Sequence, residues 1–345
     1  MKVLVCAPYT ILTNYNDGVE EYEFFGPKNI KKIEETFDEV VWNYKKGKEF
    51  TKEHLKELVK GCDAAISGWG SIMYDKEVLD CAPNLKMIAH TAGTVASVVN
   101  EETYDKGIKV IGANDREFSE SVAEGALAMA LTRYKNIDGW LRHQADEKVP
   151  YEDLPPKSIF GCTFGIVSYG AVASHLARLL QPFGCKIMVY SKYSVSDEEM
   201  KKYNMQRASL EEVFKECDII SLHTAWNKHT ENMISEDLIK SMKDGALLIN
   251  TARGKIVYQT ALEEELAKGR IQAALDVLWK EPPPPENPLW DMPNVFITDH
   301  RGGPTPDRYK YIASNIIDDV YNFLKDGTVP TNEIKKERAL SMSLH

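Results

Sequence analysis

The segment FGIVSYGAVASHLARLL (residues 164–180) decides the fold of the second half of the chain. It begins with a short apolar run, reaches a single glycine at Gly170, and then places Val172, Leu176 and Leu180 at helical spacing. An apolar run followed by a period of 3.6 predicts a strand, a tight loop and a helix with one buried face. The first amides of such a helix have no partner within it, so the loop is suited to bind an anion such as a phosphate.

This loop differs from the three-glycine loop that usually holds a dinucleotide. Gly170 occupies the middle glycine position, where a phosphate approaches the backbone, and Ala173 replaces the third glycine. Ser168 stands at the tight-turn position, where we expect a Cβ to be strained although the hydroxyl can donate to a phosphate. The loop alone fits a cofactor site and a plain turn equally well, so the rest of the sheet has to decide.

Two series of alternating apolar and polar segments make up the chain of 345 residues, a length that favours two domains. The first series contains KVLVCAP, DEVVWN, DAAISG, LKMIAH and KVIGAN, and the second contains TFGIV, KIMVY, DIISLH, ALLIN, IQAALDV and NVFIT. Such alternation predicts an α/β fold of two doubly wound parallel-sheet domains, one flavodoxin-like and one Rossmann. We expect the first domain to comprise residues 1–108 and 305–345, with KKERALSMSLH (335–345) as a solvated tail, and the Rossmann domain to comprise residues 109–304.

Composition excludes several classes of function. The chain is 43% hydrophobic and 27% charged without an apolar run long enough for a bilayer span, and it begins as a strand rather than a signal peptide, so we expect a cytoplasmic protein and no membrane partner. A net charge of -10 argues against nucleic acid. The six cysteines include no CxxC pair and the eight histidines no HExxH pattern, so we expect no metal.

An arginine, a carboxylate and a histidine follow three strands of the second series. Arg253 comes after ALLIN, Glu281 after IQAALDV and His300 after NVFIT. Because parallel strands end at one edge of a sheet, these side chains are expected to converge at the edge that carries the Gly170 loop. Each also has a structural explanation, as a carbonyl cap, a solvated acid or a turn histidine. Together, at a ligand-binding edge, they indicate a catalytic site.

Four motifs resemble the D-isomer-specific 2-hydroxyacid dehydrogenases over nearly the whole chain. They are NTARG (250–254), ALDVLWKEP (274–282), PLWDMPNVFITDH (288–300) and VAE (122–124). The resemblance implies that Arg253 binds the substrate carboxylate and polarises its carbonyl, that His300 is the acid/base and that Glu281 pairs with it. The chemistry agrees, because a guanidinium matches a planar 2-keto acid and a protonated imidazole stabilises charge that develops on its oxygen.

The resemblance further implies reduction of a small 2-keto acid, such as glyoxylate or hydroxypyruvate, with NADP or NAD in the interdomain cleft of a homodimer joined near residues 117–131. In the first domain, the loops HTAGTVAS (90–97) and SGWGS (67–71) then hold the substrate, unless these residues only shape the loops. Expected substrate contacts are Trp69, Gly70, Ala92, Gly93 and Thr94, with His90 nearby. Expected cofactor contacts are Ser168, Tyr169, Gly170, Ala171, Val172, Ser191, Lys192, His223, Thr224, Thr251, Ala252 and Asp276.

The coenzyme and the activity each have an alternative. Ser191 stands where the family often has an aspartate that binds the ribose, and Lys192 follows it, so we expect a preference for NADP unless Lys192 is only a surface charge. The alternative function is a cofactor-sensing interaction protein with little turnover, which the unusual Ser168 motivates. Formate dehydrogenase chemistry is disfavoured because those relatives have glutamine at the position of Glu281.

Overall fold

The computed structural model describes residues 1–6, 24–45, 47–113, 116–145 and 155–342. The chain divides into two compact units. Unit 1 comprises Met1–Phe118 and Pro304–His345, and unit 2 comprises Ser119–Gly303. Within the described part of the chain, no helix is long and apolar enough to cross a membrane.

The sheet of unit 1 is parallel throughout, and its strands have the order β2-β1-β3-β4-β5. The strands are β1 Lys2–Cys6, β2 Glu39–Trp42, β3 Ala64–Ser67, β4 Met87–His90 and β5 Lys109–Gly112. This order is that of the flavodoxin-like fold, as the sequence predicts. Since β5 pairs with β4, the first boundary falls after Phe118, whereas the sequence places it after residue 108.

Helices pack on both faces of this sheet. They are Gly26–Thr36, Lys52–Leu58, Lys76–Asp80, Glu101–Asp105, Pro306–Asp326 and Lys336–Leu340, with a 3₁₀ turn at Gly47–Glu49. The late helix Pro306–Asp326 packs on Gly26–Thr36 and buries Ile312, Ile316 and Val320. The expected solvated tail is wrong for residues 335–342, because Ala339 is buried and Met342 packs on the same core.

The sheet of unit 2 is also parallel, with the order β12-β11-β10-β9-β6-β7-β8. The strands are β6 Thr163–Val167, β7 Lys186–Tyr190, β8 Met205–Arg207, β9 Ile219–Leu222, β10 Leu247–Asn250, β11 Gln272–Leu275 and β12 Val295–Ile297. Sequence analysis finds six of these strands and misses β8. This edge strand buries only Met205 of its three residues, so it gives no apolar run.

The order in which the chain adds strands to this sheet reverses at β6. Strands β7 and β8 lie on one side of β6, and β9 to β12 lie on the other. In doubly wound sheets, ligands bind beyond the carboxyl ends of the strands at this reversal. Helices of unit 2 are Ile137–Ala145, Ala171–Leu180, Asp197–Lys202, Leu210–Glu216, Glu236–Ser241 and Gln259–Ala267, together with Arg116–Tyr134, which starts just before the unit boundary; 3₁₀ turns lie at Gln181–Phe183, Gly254–Ile256 and Pro288–Trp290.

Gly165, inside β6, has no space for a side chain. A Cβ built there would lie 2.6 Å from Cγ1 of Val213 and 2.9 Å from Sγ of Cys217. We predict that Gly165→Ala lowers the free energy of unfolding by about 1–3 kcal/mol through overpacking, measured by urea denaturation. Gly303→Ala is the control, because a Cβ at that position meets nothing within 4 Å in the part of the chain that the structure describes. Equal stability of the two variants would contradict this account of β6.

Candidate active site

The loop after β6 holds a serine in a backbone conformation that favours glycine. Ser168 has φ +70°, and its hydroxyl shares a 2.7 Å hydrogen bond with the Thr224 hydroxyl beyond β9. Its backbone N–H donates to the carbonyl of Tyr190 at 2.7 Å. A non-glycine residue pays about 1–3 kcal/mol for such a conformation, so these bonds help to hold the loop in place. The strain expected at Ser168 is therefore present, and its hydroxyl is engaged with Thr224.

Gly170 precedes the helix Ala171–Leu180 and leaves its first amides accessible. The residue is extended, with φ −142° and ψ −162°, and no side chain caps the helix. A Cβ built on Gly170 would meet no atom of the described residues within 4 Å, so packing within this part of the chain does not require a glycine. Close approach of a phosphate to the backbone does require one, and the loop therefore fits a dinucleotide. The ring of Tyr169 packs back onto the core of unit 2, and burial raises its pKa to about 12.

Buried polar atoms without a partner lie after β9 and β10. Nε2 of His223 and Oγ1 of Thr251 are buried and make no hydrogen bond within the described residues. Burial lowers the pKa of His223 to about 4, so this imidazole is neutral at pH 7. Unpaired buried groups at a ligand-binding edge fit a polar ligand. After β7, Ser191 is half-buried and Lys192 is exposed.

The side chain of Asn250 holds the loop that carries Arg253 through two hydrogen bonds. The amide of Asn250 donates to the Arg253 carbonyl at 3.0 Å, and its oxygen accepts from the Ala252 N–H at 3.0 Å. A Cβ on Gly254 would overlap the carbonyl of Leu278, so the loop packs directly on the segment that leads to Glu281. The sequence shows NTARG as a motif, but only this contact explains its glycine.

The guanidinium of Arg253 is largely removed from water. Its Nη1 donates to the carbonyl of Ala252 at 2.6 Å, and its buried Nε has no hydrogen-bond partner in the part of the chain that the structure describes. Burial lowers the pKa of Arg253, and the charges of Glu281 and Asp276 act in the opposite direction. An arginine remains charged under these conditions, and an unpaired donor in a desolvated site favours an anionic ligand.

His300 and Glu281 form a hydrogen-bonded pair. The Nδ1 of His300 lies 2.6 Å from Oε2 of Glu281, whose Oε1 accepts from the Leu278 N–H at 3.0 Å. Hydrogen bonding to Glu281 raises the pKa of His300, against burial and the charge of Arg253. Burial acts to raise the pKa of Glu281, but His300, the Leu278 N–H and Arg253 together hold it below its ordinary value. The predicted arginine, glutamate and histidine therefore act electrostatically on one another.

Asp276 lies at the base of the turn that carries His300. Its Oδ1 accepts from the Thr298 hydroxyl at 2.5 Å and from the N–H groups of Arg301 and Gly302 at 2.7 and 2.8 Å. Sequence reasoning does not identify Thr298 and Gly302, since a single hydroxyl and a backbone N–H leave no pattern in the sequence. The other expected cofactor contacts lie on a helix or against the core. Ala171 and Val172 form the first turn of the helix after Gly170, and Ala252 packs on the apolar core.

The five expected substrate contacts belong to unit 1. Trp69 and Gly70 follow β3, and Ala92, Gly93 and Thr94 follow β4. The indole of Trp69, 36% exposed, packs edge-on against Phe24 with ring centroids 6.0 Å apart. His90 is buried like Ala92 and Thr94, and its Nδ1 lies 2.9 Å from Oγ of Ser67 at the end of β3.

Comparison with known proteins agrees with this geometry. A family model described as "D-isomer specific 2-hydroxyacid dehydrogenase, NAD binding domain" matches residues 127–302. Glyoxylate reductase of Korarchaeum cryptofilum is 31% identical over 316 residues, which cover 90% of this chain and 93% of the relative. The chain belongs to the D-isomer-specific 2-hydroxyacid dehydrogenase family.

Other relatives extend the likeness of this dehydrogenase over both units. Glyoxylate reductase of Pyrococcus furiosus is 33% identical over 321 residues, covering 90% of this chain and 93% of the relative. The solved structure of the TT0316 protein of Thermus thermophilus is 27% identical, with a TM-score of 0.76, and covers 97% of this chain and 100% of its own. The matched NAD-binding region lies within unit 2, so a nicotinamide dinucleotide belongs to this unit of the dehydrogenase. Among the described residues, no His, Cys, Asp and Glu cluster could hold a metal ion.

The His300–Glu281 hydrogen bond gives a direct prediction for the dehydrogenase. We predict that Glu281→Gln lowers the pKa of His300, because the largest effect that raises this pKa is the bond to the Glu281 carboxylate. The measurement is an NMR titration of the imidazole. Glu286→Gln removes an exposed carboxylate of the same type and serves as the control. An unchanged His300 pKa in Glu281→Gln would refute the coupling.

Proposed function

We propose that this dehydrogenase reduces a small 2-keto acid through Arg253, His300 and Glu281, with a nicotinamide dinucleotide as cofactor. The observation that carries the proposal is the 2.6 Å pair of His300 and Glu281 under the influence of the Arg253 charge. The names of the curated relatives, glyoxylate reductases, agree with a substrate of this class.

Each of the three side chains has a distinct task in this proposal. The nicotinamide supplies a hydride to the carbonyl carbon when it is bound. Arg253 binds the substrate carboxylate and polarises the carbonyl, because its planar donors match both oxygens. His300 holds its proton at Nε2, since Nδ1 faces Glu281, and gives that proton to the carbonyl oxygen as charge develops there. Glu281 keeps the imidazole charged and fixes its orientation.

The direction of the pKa shift sets the pH dependence. Reduction requires protonated His300. The hydrogen bond to Glu281 is the main cause that raises the pKa of His300, and the charge of Asp276 adds to the rise, whereas burial and the charge of Arg253 lower this pKa. The rate of keto-acid reduction therefore falls as the pH rises through this elevated pKa. Oxidation of the hydroxy acid requires neutral His300 and takes the opposite dependence.

We predict that His300→Ala lowers kcat for keto-acid reduction by roughly 10²–10⁴-fold, because positioned proton transfer contributes about that much. The assay is coenzyme oxidation with a panel that includes glyoxylate and hydroxypyruvate. His229→Ala is the control, because His229 is exposed and lies outside the proposed site. Unchanged turnover in His300→Ala would remove His300 from the chemistry.

A preference for NADP is the finer part of the proposal. Ser191 and Lys192 follow β7, the strand whose end meets the adenosine ribose in dinucleotide-binding sheets. A hydroxyl and an exposed ammonium accommodate a 2′-phosphate that a carboxylate would repel.

We therefore expect kcat/KM to be higher with NADPH than with NADH, and we expect Ser191→Asp to reverse the order by restoring a carboxylate to the ribose. Lys201→Ala, which removes an exposed lysine from the helix Asp197–Lys202, controls for a general loss of charge. An NADH advantage of about tenfold in the unmodified protein, worth about 1.4 kcal/mol, would reject the preference.

The remaining assignments rest on the family resemblance. The proposed cofactor set consists of the loop positions Ser168–Val172 and of Ser191, Lys192, His223, Thr224, Thr251, Ala252 and Asp276. Trp69, Gly70, Ala92, Gly93 and Thr94 form the proposed substrate set. We also propose a homodimer that uses part of the helix Arg116–Tyr134. A cofactor-sensing protein is the rival, and it would bind coenzyme without turning over any keto acid of the panel.

A further inference from the structure

Two cysteines meet at the edge of the unit 2 sheet opposite the candidate active site. Cys162 immediately precedes β6 and Cys185 immediately precedes β7, so both lie at the amino ends of parallel strands. All six cysteines are free thiols, and the Sγ atoms of Cys162 and Cys185 lie 3.6 Å apart. In the part of the chain that the structure describes, no other two thiols are in hydrogen-bonding contact.

The pairing of β6 with β7 brings the two cysteines side by side. The paired residues begin with Thr163 opposite Lys186, and the cysteines stand one position before them. The Lys186 N–H donates to the Cys162 carbonyl at 2.9 Å. The Gly161 N–H donates to the Phe183 carbonyl at 3.1 Å, so a backbone hydrogen bond lies on each side of the pair. Neighbouring strands are about 4.8 Å apart, within the Cα separations of about 4.4–6.8 Å that a disulfide spans.

The two thiols form a short chain of hydrogen bonds. Sγ of Cys185 donates to the Ile159 carbonyl at 3.2 Å, which leaves Cys162 as the donor between the two sulfurs. This bond lowers the pKa of Cys185, against burial, whereas the same bond and burial raise the pKa of Cys162. Cys185 therefore loses its proton first. The thiolate is the reactive form of cysteine, so Cys185 is the nucleophilic sulfur of the pair.

An open cavity of about 280 Å³ reaches the pair from the surface of unit 2. Its lining includes Cys162 and the polar side chains of Asp218 and Lys243. A cavity of this size and polarity admits molecules as small as water or a peroxide. By contrast, Cys62 and Cys217 are fully buried. A small polar oxidant can therefore reach this pair more readily than the thiols inside the cores.

We propose that Cys162 and Cys185 form an oxidation site that a peroxide converts to an intramolecular disulfide. The Cys185 thiolate attacks one peroxide oxygen, the O–O bond breaks, hydroxide leaves and Cys185 becomes a sulfenic acid. The Cys162 thiol then attacks the sulfenic sulfur, the S–S bond forms, and the oxygen leaves as water with the Cys162 proton. The two sulfurs lose two electrons in total, and the peroxide gains them.

The disulfide keeps the oxidation reversible. A neighbouring thiol resolves the sulfenic acid before a second peroxide converts it to the sulfinic acid, which reductants do not restore. The bond joins β6 to β7 at their amino ends, whereas the Gly170 loop and Ser191 follow the carboxyl ends of the same strands. The oxidation site is thus separate from the proposed keto-acid chemistry, and its test does not depend on turnover.

The test is peptide mapping of the full chain after treatment with hydrogen peroxide. Trypsin cleaves after Lys157, Arg178 and Lys186, which puts Cys162 in the peptide 158–178 and Cys185 in the peptide 179–186. We expect these two peptides to be linked, with a mass about 2 Da below the sum of the reduced peptides, and we expect a thiol reductant to separate them.

Three variants show whether the link needs both sulfurs. Cys162→Ser and Cys185→Ser should each abolish the linked peptides, and Cys162→Ser should accumulate sulfenic or sulfinic acid on Cys185 because nothing resolves it. Cys81→Ser is the control, since Cys81 is a partly exposed free thiol of unit 1, and it should form the link as the unmodified protein does.

Three results would overturn the proposal. They are the absence of the link at a peroxide dose that oxidises Cys81, a link from Cys162 or Cys185 to a third cysteine, and an equal yield of the link in protein unfolded in guanidinium before treatment. The last result would mean that the fold does not create the site. Mapping of the unmodified protein decides the question even if a serine variant fails to fold.

Discussion

The parallel arrangement of the unit 2 sheet is the constraint on which the candidate site depends. Every strand from β6 to β12 ends at one edge, so residues far apart in sequence reach the same place without a local motif between them. Arg253, Glu281 and His300 come from the ends of three neighbouring strands, β10, β11 and β12. The Gly170 loop follows β6, the strand at which the strand order reverses. An antiparallel sheet would place alternate strand ends at opposite edges and would separate these groups.

Glycines and residues with a strained backbone both shape the carboxyl edge of the unit 2 sheet. Gly170 has open space around it, as a site for an approaching ligand requires, whereas Gly254 and Gly302 lie against the chain's own atoms. Ser168, Asp299 and His300 adopt the left-handed conformation although each has a Cβ. Strain of this kind concentrates where geometry matters for function, and two hydrogen bonds help to hold it here: the Ser168 hydroxyl bonds with the Thr224 hydroxyl, and the His300 N–H donates to the Asp276 carbonyl.

The three side chains interact electrostatically with one another. Burial alone acts against the charged forms of Arg253, Glu281 and His300, and each charge is maintained partly by the others. The carboxylate offsets the effect of the guanidinium on the imidazole, so the histidine keeps a raised pKa although a buried cation lies nearby. This balance gives a physical reason for the carboxylate beside the histidine, since without it the arginine would favour neutral imidazole.

The sequence by itself determined the two parallel sheets, and it singled out Arg253, Glu281 and His300 as candidate residues after three strands that share an edge. Apolar periodicity and strand-end positions are local properties, and they carry through to the fold because parallel strands share an edge. Only the tertiary structure decided that residues 335–342 pack on a core and that Asp276 bonds to the His300 turn. It also separated Gly170, which faces open space, from Gly254, which packs on Leu278. The physical reason is that backbone donors and close packing join residues distant in sequence, and neither leaves a pattern in the amino-acid order.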